Sequence, residues 1–256
     1  MKMLKNENSP LILLGFQRSG TTAFSHALEK IFIKNEGHFQ TNNKLIYYLN
    51  RWLTDADIAH KHFRADEIIF SLNRIPPQNQ TNIQKNIIEN VLKKYARLIS
   101  GKYYFNATET KRMILEEIYG ETRWGYKYNE DMLDLELVND IFECPKYIII
   151  VRNPYFVAKS MLSWEKEKIW NPDNFDDCIN KWIKWNGKLI KNLTGIKKEN
   201  IMILNYNNLK SKDSLEDFLN MKIEDELEFL IEKNEYKYLE NEKVIEILDF
   251  YENFDK

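Results

Sequence analysis

Residues 11–24 constrain the fold more than any other stretch, because they join a short apolar run to a glycine-bounded loop and then to a helical pattern. Residues 11–14 are four consecutive aliphatic side chains, which predict a short buried strand. Gly15 and Gly20 bound the polar loop, and from Thr21 the apolar residues recur at helical spacing. α/β proteins bind phosphate with this arrangement, because the loop N–H groups and the positive end of the helix face the anion.

The loop at residues 15–22 follows the pattern G-x-x-x-x-G-T-T. A nucleoside-triphosphate P-loop has the same spacing, but it carries a lysine where this chain has Thr21. That lysine contacts the terminal phosphates, so its absence disfavours ordinary kinase or ATPase chemistry. Arg18 places a cation inside the loop, where it can donate two parallel hydrogen bonds to an anionic group. The loop therefore predicts an anion site, and a tight turn without a ligand is the alternative interpretation.

The overall charge is nearly balanced, with 37 Lys and Arg against 39 Asp and Glu in 256 residues. This balance argues against a nucleic-acid-binding protein that relies on bulk positive charge. Cys144 and Cys178 form neither a metal-binding pattern nor a disulfide framework, which favours a reducing compartment. No apolar run reaches membrane-spanning length, and the polar residues 1–10 are too short for a signal peptide. We therefore expect a single cytoplasmic domain over residues 1–256, with no nucleic-acid partner and no transmembrane segment.

Strand and helix patterns alternate along the chain. Residues 146–151 form the strongest strand pattern, and the unbroken apolar run within them implies burial on both faces, as in a parallel sheet. The whole pattern predicts an α/β fold with a central parallel β-sheet flanked by helices. Residues 44–101 are interpreted as a helical insertion that forms the acceptor side of a pocket. Further strands are predicted at 122–127 and 200–206, and helices at 21–34, 82–99, 175–193, 214–219 and from 227 onward. Pro154, after Asn153, is placed to start another helix beyond the strand at 146–151.

Polar and charged side chains lie at the ends of the predicted strands. Arg18 follows the first strand, Lys127 ends the strand at 122–127, and Arg152 and Tyr206 come at the ends of the next two. In an open parallel sheet, ligands bind beyond the carboxyl ends of the strands. Three cations at these ends predict an anionic ligand with more than one charged group. The alternative is that Lys127 and Arg152 are ordinary surface charges.

At these positions the sequence resembles sulfotransferases that use 3′-phosphoadenosine 5′-phosphosulfate (PAPS). Residues 15–22 (GFQRSGTT) are similar to the loop with which that family binds the 5′-phosphosulfate. Residues 151–154 (VRNP), followed by Ser160, resemble its 3′-phosphate element. The resemblance implies a P-loop NTPase-like sulfotransferase fold, PAPS as the sulfuryl donor, adenosine 3′,5′-bisphosphate as the product, and no metal.

Three shorter segments also resemble this family. Residues 124–127 (WGYK) are similar to its W-G-x-K segment, although Asn129 stands where proline is usual. Residues 204–209 (LNYNNL) resemble its Y-E-D-L segment, with asparagine in place of both acids. Residues 35–39 (NEGHF) resemble the E-x-H-F segment of glycan sulfotransferases, whose glutamate is the catalytic base.

The resemblance implies a role for each matching residue. Arg18 and Lys127 would stabilise the charge that develops during sulfuryl transfer. Glu36, with His38 as the second choice, would take the proton of the acceptor hydroxyl. The glycan-type segment favours a carbohydrate acceptor, and a phenol, a small metabolite and a tyrosine side chain are the alternatives. The expected cofactor-binding residues are Gly15, Gln17, Arg18, Ser19, Gly20, Thr21, Thr22, Arg152, Ser160 and Tyr206.

Two other functions stay open from the sequence. A nucleotide or small-molecule kinase with an altered P-loop would bind ATP and Mg²⁺, although no aspartate directly follows the strand at 146–151 to hold the metal. A non-catalytic relative would keep nucleotide binding alone, and Asn129, Asn207 and Asn208 favour it because they replace the residues usual in the family.

Overall fold

The computed structural model describes residues 9–41, 49, 82–99, 107–120, 122–128, 135, 138–139, 142, 144–164, 172–206, 212–224 and 239–254. Within these residues, five strands form one sheet in the order β2-β3-β1-β4-β5, and every neighbouring pair is parallel. This confirms the predicted parallel sheet. The strands are β1 Leu11–Gly15, β2 His38–Gln40, β3 Trp124–Lys127, β4 Lys146–Val151 and β5 Ile201–Asn205.

Helices connect the strands, and most of them lie where the apolar periodicity predicts them. The exception is α3, for which no helix is predicted because its large apolar residues begin only at Met113. A 3₁₀ turn, Lys198–Asn200, precedes β5. The helices are α1 Thr21–Lys34, α2 Asn82–Ile99, α3 Ala107–Tyr119, α4 Pro154–Leu162, α5 Phe175–Leu193, α6 Lys212–Leu219 and α7 Glu242–Asn253. None of the described helices is long and apolar enough to span a membrane.

The sheet is buried on both faces because alternate side chains of each strand point to opposite sides. On one face, Ile12 and Leu14 of β1 belong to a core that also contains residues of α2, α4 and α5. On the other face, Leu11 and Leu13 belong to a core with apolar residues of α1 and α6. Of the predicted insertion at 44–101, α2 and Leu49 join the first core, and most of its other residues lie outside the described part of the chain.

The strand order places a binding crevice next to β1. The chain leaves β1 for β2 on one side, and it later crosses from β3 to β4 on the other side of β1. In open parallel sheets, ligands bind where the direction of the connections reverses, beyond the carboxyl ends of the strands. The register pairs Gly15 with Ile150, so the loop after β1 and the loop after β4 leave the sheet side by side. We call this the carboxyl end of the sheet, and the opposite side, where the strands begin, the amino end.

Candidate functional site

The loop between β1 and α1 is a compact turn with two left-handed residues. Arg18 has φ 65° and Gly20 has φ 91°. The buried Phe16 anchors the turn, and its carbonyl accepts a hydrogen bond from the Ser19 N–H at 3.1 Å. Gly20 directly precedes α1 and has no side chain to cap the first N–H groups of the helix. These N–H groups and the positive helix end are therefore directed towards whatever lies over the loop.

Gly20 is also required by a close contact across the site. A Cβ atom added to Gly20 would lie 2.2 Å from Cε2 of Tyr206, the residue that follows β5. The Tyr206 N–H donates to the carbonyl of Val151 at 2.8 Å, which continues the β4–β5 pairing beyond the last strand residue. The tyrosine ring thus lies against the loop. The sequence could not reveal this contact, because Gly20 and Tyr206 are nearly 190 residues apart.

Arg18 joins the loop to α4. Its Nε donates to Oγ of Ser160 at 3.0 Å, and its guanidinium carbon lies 4.7 Å from the centre of the Trp164 ring. Ser160 reaches this position because Asn153 caps α4, accepting a hydrogen bond from the Tyr155 N–H, with a proline at the first helical position. The two sequence elements that contain Arg18 and Ser160 therefore meet at one place.

Arg152 follows β4 and packs beneath the loop. Its Nη1 donates to the carbonyl of Arg18 at 3.0 Å, and its guanidinium carbon lies 4.7 Å from the centre of the Tyr206 ring. Its Nε atom and the Oγ atom of Ser19 are buried and have no hydrogen-bond partner among the described residues. Leaving a buried polar atom unpaired costs about 1–3 kcal/mol, so such atoms are typical of a site that a polar ligand completes.

Lys127 brings a third cation to the loop. It ends β3, where the register pairs it with Leu13 of β1, and its Nζ lies 3.3 Å from Oγ1 of Thr22. The structure therefore brings Arg18, Lys127 and Arg152 together around one glycine loop. This convergence favours an anion site over the alternative that these residues are unrelated surface charges.

The structure places a fourth cation at the loop that was not predicted from the sequence. Lys181 of α5 donates from Nζ to Oε1 of Gln17 at 3.2 Å. Trp164, which lies against Arg18, was likewise not singled out. Lys181 is one of several lysines on an amphipathic helix, so no local pattern distinguishes it from the others.

Glu36 and His38 lie at the other end of the sheet from the loop. The register places Phe39, Gly125 and Leu11 at one level. Glu36 precedes that level by three residues and Gly15 follows it by four, which is a separation of about 23 Å along the strands at 3.3 Å per residue. The 14 residues of α1 span a similar distance, about 21 Å, from the loop back to the amino end. The structure therefore does not bring Glu36 or His38, the expected bases, together with the cations of the loop.

The geometry fits a ligand with two anionic groups. Arg18, Lys127 and Lys181 lie around the loop and the start of α1, whereas Arg152 lies between the Arg18 carbonyl and the Tyr206 ring. Guanidinium groups suit phosphate and sulfate because their N–H donors match the spacing of two anionic oxygens.

Comparison with known proteins agrees with this geometry. The family described as "Sulfotransferase family" matches residues 10–216. The sulfotransferase domain from the curacin biosynthetic pathway has a similar structure, with a TM-score of 0.52, 17% sequence identity, and coverage of 94% of this chain and 96% of that domain. The sulfotransferase domain from the Synechococcus PCC 7002 olefin synthase has a TM-score of 0.50 and 13% identity, with coverage of 100% and 91%. No curated protein matches the sequence.

Proposed function

This chain belongs to the sulfotransferase family, and on that basis we propose that it transfers a sulfuryl group from PAPS to the hydroxyl group of an acceptor. The observation that carries the proposal is the convergence of Arg18, Lys127 and Arg152 on one glycine loop. The family match alone leaves the donor open, whereas these contacts supply the positive charge that a nucleotide with a 5′-phosphosulfate and a 3′-phosphate requires.

The glycine loop is suited to the 5′-phosphosulfate. Its backbone turns at Gly15 and Gly20, Gln17 and Ser19 are buried within it, and Thr21 and Thr22 begin α1. A Cβ atom added to Gly15 would lie 2.4 Å from Cγ2 of Thr21, so a larger residue would fill the loop. The unpaired Oγ of Ser19 is a donor that an anionic oxygen would satisfy.

Arg152, Ser160 and Tyr206 are suited to the 3′-phosphate and the nucleoside. The unpaired Nε of Arg152 and the Ser160 hydroxyl are donors from two different elements. The Tyr206 ring supports the guanidinium from one side and contacts the loop on the other. In this interpretation, binding of the 3′-phosphate fixes the position of the loop, because Arg152 also holds the carbonyl of Arg18.

Sulfuryl transfer moves a group with negative oxygens between two oxygen atoms, and the donor supplies a 5′-phosphate as the leaving group. Positive charge placed at the oxygens where charge develops accelerates such a reaction. Arg18 and Lys127 are the cations in contact with the loop region and with the first turn of α1. We assign to them the stabilisation of that charge, with Lys181 as a further contributor through Gln17.

The carbohydrate acceptor predicted from the sequence loses its main support in this structure. That prediction depended on Glu36 and His38, which lie at the amino end of the sheet. The proposal is therefore limited to a hydroxyl acceptor. Sulfuryl transfer from PAPS should be assayed with both sugars and phenols as acceptors.

The test of this proposal is calorimetric titration with adenosine 3′,5′-bisphosphate, run beside ATP with Mg²⁺. We expect the bisphosphate to bind and Arg152→Ala to weaken its affinity by about 10- to 150-fold, the value of a lost charge-assisted hydrogen bond. Lys146→Met is the matched control, because Lys146 begins the same strand and donates to the carbonyl of Phe218 instead. This control should bind as tightly as the wild type.

Each other result has a definite meaning. Binding of ATP alone would favour the kinase with an altered P-loop. Binding of the bisphosphate without sulfuryl transfer to any phenol, sugar or water would favour the non-catalytic relative. Equal affinities of the wild type and Arg152→Ala would contradict the assignment of the 3′-phosphate to Arg152.

A further inference from the structure

A polar stripe runs along α1 from the glycine loop, made of Thr22, His26 and Glu29. Nδ1 of His26 lies 3.5 Å from Oε2 of Glu29. The hydroxyl of Thr41 donates to the same carboxylate oxygen at 3.4 Å. Thr22, one turn before His26, is the residue that contacts Lys127. The stripe therefore starts at the loop and is held at its other end by the residue that follows β2.

The two residues that contact the stripe from the sheet, Lys127 and Thr41, lie at the carboxyl end of the sheet. Thr41 and Lys127 each lie two residues beyond the paired residues Phe39 and Gly125, so they are level with each other at the ends of adjacent strands. Residues three or four positions apart lie on the same side of a helix, and their Cβ atoms are about 5–6 Å apart. His26 is thus placed on the same side of α1 as the residue that contacts Lys127.

We propose that His26 is the general base that takes the proton of the acceptor hydroxyl and that Glu29 is its positioning residue; this rests on the function proposed above. The acceptor oxygen forms a bond to sulfur as its proton passes to Nε2 of His26. The bond between sulfur and the bridging oxygen of the donor breaks, and its electron pair leaves on the 5′-phosphate. The imidazolium then returns the proton to solvent.

The contacts of His26 suit this role. Nδ1 lies within ion-pair distance of the Glu29 carboxylate, whereas no hydrogen bond to Nε2 is found in the described part of the chain. A carboxylate that accepts a hydrogen bond from Nδ1–H holds the imidazole in the tautomer whose Nε2 can take a proton. The side chain of His26 is 37% exposed whereas that of Glu29 is 12% exposed, so the ring is the member of the pair that an acceptor can reach.

A purely structural pair would behave differently. An exposed pair of side chains three residues apart stabilises a helix by about 0.2–0.5 kcal/mol and has no effect on turnover once the protein is folded. General-base catalysis contributes about 10²–10⁴-fold to the rate, and its loss depends on how acidic the acceptor is. The two roles therefore separate in a kinetic experiment.

The experiment measures transfer from radiolabelled PAPS to 4-methylphenol and to 4-nitrophenol at mildly alkaline pH. His26→Ala should lower kcat for 4-methylphenol by about 10²–10⁴-fold. The loss should be far smaller for 4-nitrophenol, which has already lost its proton. Imidazole added to the buffer should restore part of the rate of His26→Ala, and Glu29→Gln should give a smaller loss than His26→Ala.

The matched controls are Glu36→Gln and His38→Gln, which change the same residue types at the amino end of the sheet. Both should keep the kcat of the wild type. Affinity for adenosine 3′,5′-bisphosphate separates the two proposals: if His26→Ala binds it normally and also transfers normally to 4-methylphenol, His26 is not the base. An equal loss with both phenols, or no rescue by imidazole, would also overturn the assignment. Failure of the wild type to bind the bisphosphate would contradict the proposed function instead.

Discussion

The two ends of the central sheet carry similar cationic residues, but these residues differ in whether their hydrogen-bond donors have partners. At the amino end, Arg123 donates to the carbonyl of Asn220 and Lys146 donates to the carbonyl of Phe218, so both cations help to bind the end of α6. At the carboxyl end, Arg152 donates to one carbonyl through Nη1, but its buried Nε has no partner among the described residues. The Oγ of Ser19 is buried and unpaired in the same way.

The difference separates cations that stabilise the fold from cations that are available to a ligand. Carbonyls at the C-terminal end of a helix need donors and favour positive charge, so Arg123 and Lys146 satisfy a requirement of the protein itself. Around the glycine loop, the helix begins and its N–H groups are donors too. Cations and donors gathered at one place, with buried donors left over among the described residues, favour an anionic ligand.

Replacing one arginine at each end of the sheet with alanine gives the largest expected difference in sulfuryl-transfer rate. Arg18→Ala should reduce sulfuryl transfer by at least about 10³-fold, the effect typical of an arginine that stabilises transferred charge. Arg123→Ala should leave kcat unchanged and lower only the free energy of unfolding. Both variants would be assayed for transfer from PAPS and for unfolding in urea. A loss of transfer in Arg123→Ala as large as that in Arg18→Ala would remove the distinction between the two ends.

Two glycines give a contrast of intermediate size. Gly20→Ala should lower the free energy of unfolding by about 1–2 kcal/mol for the left-handed backbone alone. It should also weaken binding of adenosine 3′,5′-bisphosphate, because the new methyl group would push the Tyr206 ring away from the loop. Gly187→Ala in α5 is the control, since a Cβ there meets nothing within 4 Å. Gly187→Ala should stabilise the protein by about 0.5–1 kcal/mol. Unchanged nucleotide affinity in Gly20→Ala would contradict the close contact between Gly20 and Tyr206.

The smallest expected effect is a pH dependence of the free energy of unfolding, which arises from His38 at the amino end of the sheet. Burial lowers the pKa of His38, so the folded protein holds this proton less tightly than the unfolded chain does. Unfolding therefore takes up a proton below about pH 6.5, the ordinary value for the unfolded chain, and stability falls as the pH decreases through that region. His38→Gln should lose less stability on acidification than the wild type, as measured by urea unfolding at neutral and mildly acidic pH. Equal losses in the two proteins would contradict the prediction.

Local sequence predicted the elements that carry the site. The apolar run at β1, the glycine loop and the periodicity of α1 lie within 24 residues, and each depends only on near neighbours. β4 was predicted from its apolar run, and α4 from the Asn153-Pro154 start. The short resemblance at residues 35–39 carries no information about which end of the sheet Glu36 occupies. A helix that connects parallel strands returns the chain to the amino end, so a residue directly after α1 lies away from the loop.

By itself, the sequence determined a parallel α/β sheet with a phosphate-type loop after its first strand and cations after two others. Hydrophobic periodicity and loop conformation are local properties, so they can be read from consecutive residues. Only the tertiary structure decided which side chains meet: Arg18 with Ser160, Arg152 with Tyr206, and Lys181 with Gln17. These contacts join residues that are more than 50 positions apart. They depend on strand order, on register and on the direction in which each helix returns, which no single segment encodes.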